Sequence, residues 1–100
     1  MIVKDFIIEQ TGGYVYVAWG SFTNGTYFSI SSDILLVYDK DERDVIDNED
    51  YDLYEWEQEH LINSYSFETA EFKDVLNQVY NKSTETDKMM YDLFSSIEGE

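Results

Sequence analysis

Apolar and polar residues alternate with a period of two through the first third of the chain, the pattern of strands with one face buried. Ile2 to Gln10 places Phe6 and Ile8 on one face. Thr11-Gly12-Gly13 follows, and paired glycines supply the positive φ angles of a tight hairpin. Tyr14 to Phe22 is β-branched and aromatic, with Val15, Val17 and Trp19 on one side and Tyr14, Tyr16 and Ala18 on the other. Thr23-Asn24-Gly25-Thr26 is a second hairpin signal. Tyr27 to Tyr38 then reads as one long strand carrying Phe28, Ile30, Ile34 and Leu36, with Ser31-Ser32 suited to a bulge. The pattern predicts a three-stranded antiparallel β-meander over residues 2–10, 14–22 and 27–38.

Toward the C-terminus the period lengthens to that of a helix. Phe72, Val75, Leu76, Val79 and Tyr80 recur at i, i+3, i+4, i+7 and i+8, predicting a helix over 67–81 with Ser66 as its cap. Asn81-Lys82-Ser83 ends it. Thr84, with Asp87 in a capping-box-like position, opens another over 85–97 with Met89, Met90, Leu93, Phe94 and Ile97 as its stripe. In the middle, Asp39 to Asp47 lacks a period and reads as a solvated loop. Asn48 is placed to cap a helix over 48–62, with Leu53, Trp56, His60 and Leu61 leaning one way. The expected fold is therefore α+β, one domain over residues 1–100, with the sheet packed against two or three helices. No repeats, prolines or linker-like stretches divide it.

Composition changes this picture in three ways. The chain is 43% hydrophobic and 17% aromatic, too rich in core-forming residues for disorder despite a net charge of −16. Six scattered bases make no phosphate-binding patch, so direct binding to nucleic acid or to an anionic membrane is not expected. The absence of cysteine excludes disulfides and thiolate metal sites. No apolar run reaches membrane-spanning length, and Met1-Ile2-Val3-Lys4-Asp5 does not open a signal peptide. The expected location is the cytoplasm, that of a host cell if the chain is phage-encoded. Halophilic adaptation fits poorly, because the chain has two Ala and one Arg.

The acids are concentrated. Between Asp39 and Glu59 lie eleven carboxylates against only Lys40 and Arg43. Such density is costly to the compact state, since like charges repel. Catalysis has little to stand on. His60 is the only histidine; Glu57 lies three residues before it, but one such arm does not make a di-metal carboxylate site. Ser64 and Ser66 lack a nucleophile elbow, and Gly12-Gly13 and Gly25 serve hairpins rather than a phosphate loop. Not being an enzyme, and needing no cofactor or metal, is the expectation. A calcium loop starting at Asp39 would put Asp50 in twelfth place, yet its sixth place is Asp44 where the turn needs glycine.

Recognition by charge remains. Acids at i and i+3 or i+4 of a helix stand about 5–6 Å apart, near the spacing of successive phosphates along a strand. Asp52, Glu55 and Glu59 form such a row, continued by Asp39, Asp41, Glu42, Asp44, Asp47, Glu49 and Asp50. Tyr51, Tyr54 and Trp56 interleave with them, and aromatics of this kind are enriched at interface hot spots. These thirteen residues form the expected partner-binding surface.

Small size, extreme acidity, lack of cysteine and a short sheet with a few helices resemble the phage-encoded DNA-mimic and anti-CRISPR inhibitors. The resemblance is one of class, carried by the Asp39–Glu59 block and composition rather than by a shared motif. It implies a stoichiometric inhibitor whose acidic surface mimics nucleic-acid phosphates and blocks the basic groove of a nuclease or CRISPR effector. Bacterial immunity proteins against basic nuclease toxins are similar in the same respects, and a divalent-cation-binding acidic domain is the other alternative.

Overall fold

The computed structural model describes residues 1–11, 15–90 and 92–95, Met90 by its backbone alone. It is an α+β fold built on a five-stranded, wholly antiparallel sheet in the order β1-β2-β3-β4-β5. The strands are β1 (Val3–Gln10), β2 (Tyr16–Phe22), β3 (Tyr27–Ile30), β4 (Ile34–Tyr38) and β5 (Leu61–Ser66). The helices are α1 (Leu53–His60), α2 (Ala70–Lys82) and α3 (Glu85–Met90), with 3-10 turns at Glu42–Asp44 and Asp92–Phe94.

The meander is longer than expected, for two local reasons. Ser31-Ser32-Asp33 is a turn rather than a bulge: Ser31 N–H donates to Ile34 O at 3.0 Å and its hydroxyl to Asp33 Oδ1 at 3.0 Å. Short polar side chains that bond their own backbone favour turns, so the expected third strand folds into β3 and β4. The expected 48–62 helix begins only at Leu53, where the Asp52 carboxylate accepts the Tyr54 and Glu55 N–H groups. Asn48 instead accepts the Asp50 N–H within a preceding turn. Beyond His60, Leu61–Ser66 has no helical period, and it pairs along β4 with a register shift at Val37/Tyr38.

One sheet face carries the main core. Phe6, Ile8, Ala18, Phe28, Ile30, Leu35 and Val37 share it by register, and Phe72, Val75, Leu76 and Val79 of α2 close over it with Leu93 and Phe94. Each large aliphatic or aromatic side chain buried there contributes roughly 1.5–3 kcal/mol. α2 starts three residues after the expected cap Ser66, at Thr69, whose hydroxyl oxygen accepts Phe72 N–H at 3.2 Å. Its far end secures the start of β1: Gln78 Oε1 accepts Val3 N–H at 2.8 Å and Lys82 Nζ donates to Val3 O at 2.7 Å. Of the expected last helix, α3 covers Glu85–Met90 and a 3-10 turn Asp92–Phe94, with Met89 82% exposed rather than packed, although Leu93 and Phe94 are buried as expected. Gly12, Gly13, Tyr14 and Ile97 lie outside the described residues.

Two glycines are required by position. Gly20 faces Phe6 on β1 and Phe28 on β3, and a Cβ there would stand 2.2 Å from Asp5 O and 2.7 Å from the Phe28 ring. Gly25, at φ 89°, takes the left-handed position of the β2–β3 turn.

Candidate functional site

The second sheet face is where the acidic block folds back. Trp19 and Ser21 of β2, Ser29 of β3 and Tyr38 at the end of β4 point to this side. The 3-10 turn Glu42–Asp44 lies against β2 and β3, and Asp41 caps it by accepting Arg43 N–H at 3.0 Å. This turn drives Glu42 into the sheet, where it is 7% exposed. Trp19 Nε1–H donates to Glu42 Oε1 at 2.9 Å, and Tyr51 O–H donates to Oε2 at 2.5 Å. The carboxylate is therefore satisfied by two donors from opposite sides, one in the sheet and one in the block itself. Burial pushes the Glu42 carboxyl above the ordinary range. The two hydrogen bonds oppose that rise, and the negative charges of Glu57 and Asp41 add to it. Burial likewise raises the Tyr51 and Tyr38 phenols.

Trp56 of α1 completes this attachment. Its ring meets Tyr38 edge-on at 4.5 Å, with Tyr51 at 6.4 Å and His60 at 5.1 Å. His60 ties the end of α1 to the end of β4, its Nδ1 2.9 Å from Asp39 Oδ1 while its carbonyl accepts Asp39 N–H at 3.0 Å. Arg43 is consumed locally: Nε and Nη2 grip Asp41, and Nη2 also reaches Asp5 Oδ1 at 3.1 Å. Burial raises the Asp5 carboxyl, but the Ser21 hydroxyl and the Arg43 guanidinium outweigh it and hold the group below the usual range.

The thirteen expected surface residues thus divide. Glu42 is interior, and Tyr51 and Trp56 are half-buried with their rings turned to the sheet. Asp41 is committed to Arg43, and Asp52 to the N-terminus of α1. Asp39, Asp44, Asp47, Glu49, Asp50, Asp52, Glu55 and Glu59 are exposed, as is Tyr54 at 71%. Four of these acids, Asp50, Asp52, Glu55 and Glu59, surround one shallow depression of about 230 Å³ floored partly by Trp56 and Tyr51. That size and charge suit a single Lys or Arg side chain. Among the described residues, no three His, Asp or Glu side chains converge as a metal ion would require, and no helix is long and apolar enough to cross a membrane.

Reading by residue type missed the part played by Glu42. Eleven acids in a row of loop and helix look alike, and only the fold decides which one meets Trp19. No protein-family model matches the chain, and neither a curated protein nor a solved structure matches it.

Proposed function

We propose that the protein is a stoichiometric inhibitor of a nucleic-acid-binding protein, a nuclease or CRISPR-type effector, and that it presents carboxylates where the target's groove expects phosphates. One observation carries this reading: the backbone that bears the exposed acids is anchored to the sheet. Glu42 and Trp56 pin the block to the sheet, so the segment that carries the carboxylates is attached to the fold rather than trailing as a solvated tail. A segment already attached to the fold needs less backbone ordering on binding, and clustered charge steers a basic partner to the face. Asp50, Glu55 and Glu59 around their depression are the contacts expected to matter most.

The test is displacement of labelled duplex DNA from RNA-guided and defence nucleases of the host, read by fluorescence anisotropy. Wild-type protein is expected to release the DNA at about one equivalent, with an effect that fades steeply with salt because exposed pairs are screened over about 8 Å at physiological ionic strength. Replacing Asp50, Glu55 and Glu59 together by Lys should abolish release while the melting temperature is kept or raised. Asp52 is left in place because it caps α1. Undiminished release by the triple variant removes this face from the mechanism.

A further inference from the structure

The acidic block covers only one end of its sheet face. Across the strands, Asp5, Ser21, Tyr27 and Tyr38 form the row nearest the block. The next rows run through Ile7, Trp19, Ser29 and Leu36 and then through Val17 and Ile34. Trp19 and Ser29 are buried at the middle of these rows, and the aliphatic side chains to either side stay partly exposed. Ile7 is 40% exposed and Ile34 37%, with Val17 and Leu36 half-buried between them. Leu53, 47% exposed, extends the strip from the first turn of α1, so the strip ends where the acidic block begins. Between them lies a depression of about 240 Å³ whose apolar lining is Val17, Trp19, Ile34, Leu36, Tyr38 and Leu53, with Ser29, Ser31 and Glu42 among its polar lining. Leaving an aliphatic strip in water is unfavourable, and contiguous exposed apolar patches mark interaction sites.

The surroundings select the occupant. The strip spans four strands, three spacings of about 4.8 Å, or roughly 14 Å. One helix is about 10–12 Å wide with its side chains, and α2 already covers the opposite face in that manner. Charge narrows the choice further. Glu9 shares the face beside Val17, Glu57 lines the depression, and no Lys or Arg is among its lining residues. A second copy would set these acids against themselves and bring −16 against −16. We infer that this strip is the docking surface for an amphipathic helix of a partner protein, apolar along one side and rich in Lys or Arg along the other. The inference deepens the reading above, because it gives the same basic partner an apolar centre to which the carboxylates form the charged rim.

Two synthetic peptides of equal positive charge test it on the full chain: a Leu/Lys helix with its leucines on one face, and oligolysine. Binding is followed by amide chemical shifts in 0.15 M salt. The Leu/Lys helix is expected to bind at least about tenfold more tightly, since burying a few half-exposed aliphatic side chains is worth that much. Its shifts should centre on Ile7, Val17, Ile34 and Leu36. Ile7→Gln and, separately, Leu36→Gln should each remove most of the advantage without altering oligolysine binding, and whichever keeps its fold serves. Equal binding of the two peptides, shifts confined to residues 44–59, or concentration-dependent dimerisation through the strip would each overturn the inference. The two proposals fail separately. Loss of DNA release with the peptide still on the strip removes only the phosphate-mimic reading, whereas DNA release without strip binding removes only this one.

Discussion

Glu42 shows how one residue can have a different role from its neighbours of the same type. Its side chain has left water, and two donors hold it. The folded state raises its pKa, so the native protein holds that proton more tightly than the unfolded chain. Its contribution is then fully present below the ordinary glutamate range and is lost as pH rises through the raised value. Above that value the ionised group is a cost that Glu42→Gln relieves, because the amide can accept from Trp19 and donate to the Tyr51 oxygen. The variant is expected to melt at or above the wild-type temperature at pH 7, with a difference that shrinks as pH falls into the carboxylate range. A difference independent of pH would show that Glu42 does not titrate there. Glu42→Ala removes both acceptors and strands Trp19 N–H, which should cost about 1–3 kcal/mol. None of this was legible in the acidic block itself. Period-two alternation placed Trp19 on a strand face, but nothing local says that a residue twenty-three positions away will bring it a carboxylate.

At the scale of elements, periodicity was legible wherever one face is buried against one partner. β1 and α2 are such elements, and Phe72, Val75, Leu76 and Val79 are buried as their spacing requires. What escaped were elements defined by interactions distant in sequence or by a side-chain cap. β5 is exposed at Leu61 to Ser64 and carries Asn63, Ser64 and Ser66, so it lacks any one-sided pattern and exists because β4 offers it an edge. The start of α2 is a choice between two hydroxyls three residues apart, decided in favour of Thr69. That residue both accepts Phe72 N–H and donates to Ser66 O at 2.8 Å. Thr69→Ala is therefore expected to cost about 1 kcal/mol, lowering the melting temperature by about 4–8 °C in a chain of this size. Ser66→Ala, which keeps the backbone carbonyl that Thr69 uses, should stay within about 0.5 kcal/mol of wild type. Calorimetry on the two variants decides the cap, and equal losses would return it to Ser66.

For the molecule as a whole, the decisive quantity is −16 charges on one hundred residues. Arg43 is shared between Asp41 and Asp5, and the remaining bases are too few to offset the acids around them. Repulsion among exposed carboxylates therefore works against the compact state, and the five-stranded sheet with cover on both faces must overcome it. Salt separates this effect from attraction. Raising sodium chloride from about 0.1 to 1 M shortens the screening length from about 10 to 3 Å. The melting temperature is accordingly expected to rise by several degrees over that range, whereas release of DNA from a basic target should vanish over the same range. A fold held by surface ion pairs would instead lose stability with salt, and a melting temperature that falls would show that the Arg43 cluster outweighs the repulsion around it. The opposite signs have one cause: the charge density that opposes folding is the same density offered to a partner. Binding a basic groove neutralises it, so an authentic target should raise the melting temperature most at low salt, where the unbound protein is least stable.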